Sequence, residues 1–478
     1  MTGSNKISGN FQNKIKTSLI PQKQIFARVD GENSLNLKAI CIFAATGFFL
    51  EKDTYYNNLT ALQPATEYLF SEENCIAKSE VYWKWNYNPK DVTLKQATEE
   101  FAQLFEKITF DSLKNKKIIL PLSGGLDSRS QAAALGNTSD VNCYSYKFSG
   151  SFDETKYGKE ICKVNNYSFK EYIIPEGYLW NVINELSQIN QCYADFTHPR
   201  QMAVINEIKD LGEIFYLGHW GDVLFDDMGI EDNTDFNEQT GIILKKILKK
   251  GGTELAEELW KSWGLEGNFK EYLRNRISEL HGQIQIENAN SAVRAFKSMY
   301  WAPRWTSANM NVFEKYRPVF LPYYSDEMCK FICNVPEELL SGRKIQIEYI
   351  KMKNPDLAEI PWQNYEPLNL YNFKEYTDKK NIPMRALKKA KKILSEKLSG
   401  KRIITRNWEI QFLGEDNDIR LKKYLFENNK LTEILPANVI KNFYDKFRYT
   451  DNIYYSHPLS MLLTLSAFAN NIHPGFAK

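Results

Sequence analysis

The chain between residues 117 and 217 alternates short apolar runs with stretches of helical spacing. Each apolar run is bounded by turn residues, which predicts a buried strand, and each intervening stretch predicts a helix. Strands that alternate with helices of this length predict an α/β fold, a parallel sheet with helices on both faces. The predicted strands are 117–122, 141–148, 169–174 and 214–217, and the predicted helices are 93–108, 130–135, 154–165 and 179–189.

The pattern differs on either side of this region. Residues 38–90 alternate apolar stretches with turn signals such as Asn57-Asn58, which predicts a small module of short strands. Beyond about residue 235 the spacing is mostly helical and contains no internal repeat. We therefore predict a short N-terminal module over residues 1–90 and a larger domain over residues 91–478, with a helical C-terminal half.

The longest apolar run, residues 39–50, is too short for a membrane span. It extends over about 12 residues, whereas a span needs about 20, so we predict a buried strand or helix here and no membrane span. The N-terminus has no apolar signal-peptide core, and the seven cysteines form neither a CxxC pair nor a zinc-site spacing. These features predict a cytoplasmic protein with free thiols.

Charge is nearly balanced along the chain as a whole. Sixty-one Lys and Arg face 59 Asp and Glu, for a net charge of +2, which provides no field to attract nucleic acid or a membrane surface. Residues 379–406 depart from this balance, with eight Lys, three Arg and Glu396 as the only acid. A solvated helix face is the simplest interpretation. Binding of an anionic carrier, such as a nucleotide-sugar or an acidic glycan, is a second, and RNA contact, which no interleaved aromatics support, is a third.

The run Ser123-Gly-Gly-Leu-Asp-Ser128 lies between a predicted strand and a predicted helix. Glycines let a backbone approach a phosphate closely, and the free N–H groups at a helix start favour an anion. Ser123 and Ser128 add hydroxyl donors. Asp127 would repel a phosphate unless Mg²⁺, which binds carboxylate and phosphate oxygens together, lies between them. An ordinary strand–turn–helix connection that Asp127 helps to begin is the alternative.

This loop contains neither the GK[ST] of a Walker loop nor a G-x-G-x-x-G dinucleotide motif. It resembles the PP-loop of ATP pyrophosphatases, and the wider chain resembles the synthetase half of the asparagine synthetase family over roughly residues 40–478. Several segments carry this resemblance in the right order. They are 144–148 with the acidic stretch 151–154, 217–225 in place of the family's S-G-E-G-x-D-E-L-F loop, 299–321 running into its R-x-P-F-L-D segment, and 46–65, which is similar to the end of its amidotransferase domain.

The resemblance implies an ATP- and Mg²⁺-dependent ligase that activates a carboxylate as an acyl-adenylate and then forms an amide. It implies that Asp127 and Asp222 hold Mg²⁺, although Asp222 as a helix cap is an alternative. His219 stands where the family has the glutamate needed for adenylate formation; an imidazole can deprotonate an amine, and a packed, hydrogen-bonded histidine is the alternative. The implied nucleotide-binding residues are Leu122, Ser123, Gly124, Gly125, Asp127, Ser128, Phe148, Leu217 and Gly218, with core packing as the alternative for Leu122 and Phe148.

The sequence also departs from the family pattern. Thr2 stands where the family's amidotransferase has its catalytic cysteine, and about 90 residues are too few for a whole glutaminase domain, so we interpret residues 1–90 as a degenerate remnant. Val223 replaces a second family glutamate. The family's late lysine is missing, and the sequence does not choose among Lys344, Lys351 and Lys353 as substitutes.

These departures leave the substrates open. We expect a carboxylate on a small molecule, glycan or peptide, and nitrogen from free ammonia, a separate glutaminase or an amine on the acceptor. One alternative is a PP-loop enzyme that modifies RNA, which would need thiol-transfer cysteines or a broad basic groove. Another is a non-catalytic relative that binds the nucleotide and is inactive because the family glutamates at positions 219 and 223 are replaced.

Overall fold

A computed structural model describes residues 14–471 except 72–74, 139, 150, 152, 197, 384–385 and 387–408. The N-terminal segment has short strands around one helix, and the strands after residue 38 lie in the region where the turn signals predict them. Strands β1, β4 and β5 form an antiparallel sheet, and β2 pairs with β3. The elements are β1 (Lys14–Lys16), β2 (Phe26–Arg28), α1 (Leu37–Thr46), β3 (Leu59–Ala61), β4 (Thr66–Phe70) and β5 (Ile76–Val81).

The alternating region follows a long helix, α2 (Leu94–Leu113), whose N-terminus is capped by reciprocal hydrogen bonds between Thr93 and Gln96. Strands and helices then succeed each other, and all except the two four-residue helices lie where the apolar pattern predicts them. They are β6 (Ile118–Pro121), α3 (Leu126–Leu135), β7 (Val141–Phe148), α4 (Thr155–Asn165), β8 (Ser168–Ile174), α5 (Leu179–Ile189), α6 (Ile205–Ile208), β9 (Ile214–Tyr216) and α7 (Gly221–Leu224).

The rest of the described chain is mostly helical, which confirms the prediction for the C-terminal half. A π-helical segment, Lys297–Thr306, contains Pro303, which has no N–H to donate to a regular helix. The elements are α8 (Phe236–Ile247), α9 (Gly252–Ser262), α10 (Phe269–Gly282), α11 (Ala289–Phe296), α12 (Ser307–Glu314), β10 (Val319–Phe320), α13 (Asp326–Ile332), α14 (Glu337–Leu340), α15 (Lys344–Lys353), α16 (Pro355–Glu359), α17 (Glu415–Phe426), α18 (Asn429–Ile434), α19 (Ala437–Tyr449) and α20 (Ser456–Asn471).

The central sheet has the strand order β10-β9-β6-β7-β8, and every neighbouring pair is parallel. From β6 in the middle, the chain moves outward through β7 and β8 and later in the opposite direction through β9 and β10. Such a reversal opens a crevice at the carboxyl ends of the strands, where ligands bind in sheets of this kind. The predicted α/β fold, with its parallel sheet flanked by helices, is confirmed.

One continuous apolar core runs from Leu19 to Phe468. Helix α1 is buried within it, so the apolar run 39–50 is mainly a core helix. Helix α1 packs against α9 so closely that a Cβ on Gly252 would lie 2.5 Å from the carbonyl oxygen of Ala45. Six of the cysteines are buried with free thiols, and Cys75 is half-buried.

Three expectations are tested only in part, or not at all, by the described residues. No helix in the described part of the chain combines the length and the apolar character that crossing a bilayer requires. The basic stretch 379–406 falls outside the described residues except for 379–383 and 386, so its three interpretations stay open. The division into residues 1–90 and 91–478 also stays a prediction.

Candidate active site

The loop between β6 and α3 closes on itself through its two serines. The Ser123 and Ser128 hydroxyl oxygens lie 3.1 Å apart, and the N–H of Ser123 donates to Ser128 Oγ at 3.2 Å. The N–H of Gly125 donates to Ser123 Oγ, also at 3.2 Å. Gly125 is the N-cap of α3 and provides no side-chain acceptor, so the first N–H groups of the helix remain uncapped. We call residues 123–128 the phosphate loop, because an uncapped helix start of this kind suits an anion.

A buried arginine, Arg129, connects the phosphate loop to residues 357–361. The Arg129 guanidinium is fully buried and donates to the carbonyl oxygens of Gly124, Leu357, Ile360 and Pro361 at 2.8–3.4 Å. A Cβ on Gly124 would lie 2.6 Å from Gln363 Cβ and 2.8 Å from a ring carbon of Tyr157. The glycine is therefore required for the loop to fit against residues 357–363.

A second loop, residues 217–220, leaves β9 and packs directly on α3. A Cβ on Gly218 would lie 2.8 Å from Gln131 Oε1 and 3.0 Å from Asp127 Cβ, and a Cβ on Gly221 would overlap Asp127 Oδ1. Two glycines thus allow this loop to reach the start of α3. Asp222 follows at once, in the first turn of α7.

Asp127 and Asp222 belong to one electrostatic site. Asp127 Oδ1 pairs with the Arg343 guanidinium and accepts a hydrogen bond from Gln346 Nε2 at 3.1 Å. Burial raises the pKa of Asp127, Arg343 opposes that shift, and the negative charge of Asp222 adds to it. Asp222 is exposed and has neither a hydrogen bond nor an ion pair among the described residues.

The donor set fits Mg²⁺ only in combination with phosphate. Both contacts to Asp127 fall on Oδ1, which leaves Oδ2 without a hydrogen bond from the described residues, and Asp222 has both oxygens open. Within the described ranges, no group of three or more His, Cys, Asp or Glu side chains is arranged to hold a metal. Two carboxylates that leave most coordination positions to phosphate oxygens and water are typical of magnesium sites in phosphate-transferring enzymes.

His219 lies within the second loop, and burial keeps its imidazole neutral. Burial lowers its pKa to about 4; Asp222 opposes that shift and Arg200 adds to it. Its Nδ1 is buried and has no hydrogen-bond partner within the described part of the chain. The next residue, Trp220, has a left-handed backbone with φ of +80°, a costly conformation for a bulky side chain that turns the loop sharply into α7.

Of the residues expected near the nucleotide base, Leu122 and Leu217 are buried, whereas Phe148 is half-buried. Leu122 is buried, and its backbone bonds to Tyr144 O and Ser145 Oγ within the sheet, so its side chain contributes to the core. Phe148 is half-buried at the end of β7, and its ring centre lies 5.7 Å from the Arg200 guanidinium carbon. Arg200 also donates to the Tyr146 hydroxyl at 2.8 Å. Leu217 is buried directly after β9.

None of the three candidate substitute lysines enters this site. Lys344 Nζ donates to the carbonyl oxygen of Glu338, Lys351 pairs with Glu348, and Lys353 pairs with Glu106. The cation beside the phosphate loop is Arg343, the residue before Lys344. Sequence reasoning missed it, together with Gln346 and Arg200.

Fold and site together define an α/β protein of the PP-loop type, in which two loops at the carboxyl edge of a parallel sheet surround an uncapped helix start. Residues 114–319 match the family model described as asparagine synthase. Over these residues the resemblance seen in the motifs is confirmed, and the match to the synthetase half of this family supports an ATP-dependent, amide-forming ligase domain there; segment 46–65, which also carries the resemblance, lies outside the match. No curated protein matches the chain.

Proposed function

We propose that the protein activates a carboxylic acid with ATP as an acyl-adenylate and then forms an amide from it. The observation that supports this most directly is the meeting of Asp127 and Asp222 beside the uncapped start of α3. The two acids come from different loops and act on each other electrostatically. Carboxylates beside a phosphate-binding loop are the arrangement that a magnesium–triphosphate complex requires.

In the first step, one oxygen of the substrate carboxylate attacks the α-phosphorus of ATP. The bond from that phosphorus to the bridging oxygen of the β-phosphate breaks, and pyrophosphate leaves with the electron pair. The N–H groups of the phosphate loop and the Ser123 and Ser128 hydroxyls orient the phosphates, and the Arg343 guanidinium faces the negative charge of the leaving group. Mg²⁺ held by Asp127 and Asp222 would supply charge neutralisation when bound.

In the second step, a nitrogen lone pair attacks the carbonyl carbon of the acyl-adenylate. The carbon–oxygen bond to AMP breaks, and the nitrogen loses a proton. The neutral imidazole of His219 can accept that proton, because its lowered pKa leaves a lone pair available at neutral pH. The nitrogen source is ammonia, free or from a separate glutaminase, or an amine on the acceptor.

Exchange of labelled pyrophosphate into ATP tests this proposal. We expect exchange that depends on Mg²⁺ and on one member of a panel of small, sugar and peptide carboxylic acids. Exchange that requires RNA would instead identify an RNA-modifying enzyme. Nucleotide binding without exchange under any condition would identify a non-catalytic relative, and either result would contradict the proposal.

A further inference from the structure

Lys297 lies in a corner formed by two tryptophan side chains. It begins the π-helical segment Lys297–Thr306, and its Nζ lies 5.7 Å from the ring centre of Trp220 and 5.3 Å from that of Trp301. The two indoles meet nearly at right angles, at 80°, with their centres 6.4 Å apart. Aromatic faces on two sides fix the position of the ammonium group.

This ammonium group has no anionic partner. Within the described ranges no carboxylate lies within 4.0 Å of Lys297 Nζ, and no hydrogen bond involves it, whereas the neighbouring Arg294 is fully paired with Glu337. Burial lowers the pKa of Lys297 to about 8, Asp222 opposes this shift, and Lys246 and Arg294 add to it. A half-buried, unpaired cation gains from a bound anion, which would restore interactions lost with water.

The position of Lys297 relative to the phosphate loop suggests which anion it receives. Trp220 Nε1 donates to Ser298 Oγ at 3.1 Å, which joins the loop after β9 to the π-helical segment. Asp222 acts electrostatically on both Arg343 and Lys297, whereas Asp127 acts on Arg343 and not on Lys297. The site therefore extends from the phosphate loop past Asp222 to Lys297, which lies where Trp220 contacts the π-helical segment.

We propose that Lys297 binds the carboxylate of the acid to be activated. The proposal rests on the function proposed above. In an in-line displacement, the attacking oxygen approaches phosphorus on the side opposite the leaving group. If the leaving pyrophosphate lies toward Arg343, the attacking carboxylate comes from the other side of Asp222. Lys297 holds one carboxylate oxygen while the other attacks, and then faces the oxygen that becomes negative during the attack by nitrogen.

The surroundings of Lys297 also indicate the class of acid. The positive charge of Lys246 disfavours an ammonium group on the substrate near its carboxylate. The half-buried indoles of Trp301 and Trp305 have centres 6.1 Å apart, and Lys249 lies 5.9 and 5.5 Å from those centres, so a second cation borders the same aromatic surface. The parts of these rings that Lys249 leaves uncovered can pack against the C–H groups of a ring substrate. We infer a ring-bearing carboxylic acid without an ammonium group.

D-glucuronate and L-aspartate are the probes that separate these properties. Both have a net charge of −1 at neutral pH, but only glucuronate has a ring and lacks an ammonium group. In the pyrophosphate exchange assay, we expect glucuronate to support faster exchange than aspartate. Exchange supported by aspartate and not by glucuronate would overturn the inferred substrate class. Exchange with neither probe nor any other acid would instead overturn the proposed function itself.

Substitution of Lys297 tests the binding role. We expect K297M to raise the KM for glucuronate at least tenfold and to leave the KM for ATP within about twofold, and K297R to recover part of the loss. K245M, on the exposed face of α8, is the matched control. An unchanged KM for glucuronate, or a change confined to ATP, would overturn the role of Lys297.

A measurement without turnover completes the test. With a pKa of about 8, a large share of the Lys297 side chains is uncharged at pH 8, and the free amine can attack trinitrobenzenesulfonate, displacing sulfite and leaving a trinitrophenyl group on the lysine. We expect glucuronate, and not pyrophosphate, to protect Lys297 from labelling, as measured by peptide mass spectrometry. Protection by pyrophosphate alone would place the lysine on the phosphate side and contradict the proposal.

Discussion

Asp127 and Arg343, which are 216 residues apart in the chain, form an ion pair at the start of helix α3. Gln346, one turn further along α15, donates to the same carboxylate oxygen. The pair joins the phosphate loop to the helical half of the protein. In the proposed reaction this guanidinium faces the leaving pyrophosphate, so the pair would link the stability of the site to its proposed chemistry.

Replacement of Arg343 should therefore affect both properties. R343M leaves the largely buried Asp127 without its cation, and we expect a loss of about 1–3 kcal/mol in the free energy of unfolding. The double variant D127N/R343M should recover most of that loss, because no uncompensated charge remains. Denaturant unfolding measures both effects. K344M is the control, and an equal loss in that variant would contradict the assignment.

Asp222 should be required for activity and not for stability. It is exposed and has no partner among the described residues. D222N should therefore leave the free energy of unfolding unchanged within about 0.5 kcal/mol. Its loss from the proposed magnesium site should lower the exchange rate at least a hundredfold. E231Q, which changes another exposed carboxylate of the following loop, should retain full exchange. Full exchange by D222N would remove this residue from the site.

His219 should distinguish the two half-reactions. If it accepts a proton from the attacking nitrogen, H219Q should retain pyrophosphate exchange and lose amide formation by about 10²–10⁴-fold. Exchange and amide formation, measured on the same preparation, test this separation. An equal loss of both rates would mean that His219 acts in adenylate formation or in the packing of the loop.

The same histidine should make the fold acid-sensitive. Its pKa in the folded protein is about 4, below its ordinary value of 6.5. Above pH 6.5 it is neutral in both the folded and the unfolded chain and contributes nothing to the pH dependence. Between pH 6.5 and 4 only the unfolded chain takes up the proton, so stability falls as the pH falls.

The acid sensitivity is measured by unfolding at several pH values. H219Q should lose less stability than the wild type between pH 6.5 and 4, by up to about 3 kcal/mol. Burial also lowers the pKa values of His281 and His457, to about 4 and about 3, so part of the dependence should remain in the variant. Identical pH profiles for the two proteins would contradict a buried neutral His219.

Gly221 should tolerate no side chain. A Cβ there would overlap Asp127 Oδ1, so G221A should displace the carboxylate and lower exchange at least tenfold. G241A, within α8, meets no atom within 4 Å and should be neutral or stabilising by up to about 1 kcal/mol. Exchange rates and unfolding curves of the two variants test the prediction. Wild-type exchange in G221A would show that the second loop does not set the position of Asp127.

Much of the sheet could be predicted from the sequence, because buried parallel strands are short apolar runs. The runs at 117–122 and 141–148 contain β6 and β7 within two residues of the predicted bounds. Strand β10 was missed because two residues make no pattern. The phosphate loop could be located because its chemistry lies in consecutive residues.

Arg343 and Lys297 could not be found in the same way. Both come from the helical half, where apolar spacing predicts which face is buried and not which polar side chain reaches a distant loop. The signal for Arg343 was its position next to Lys344, in the segment where a substitute cation was expected. For Lys297 the only sequence signal was a cation among Trp and Tyr residues, which is also typical of ordinary core packing.

Phe48, which follows α1, stacks on Trp301 with the two rings within 4° of parallel and their centres 5.9 Å apart. The guanidinium of Arg304, in the same π-helical segment, donates to the carbonyl oxygens of Phe49 and Asp53. The N-terminal segment thus forms the back wall of the surface to which we assign acid recognition. Substitutions in that segment would therefore change which acid binds, even if every residue of the phosphate loop stayed the same.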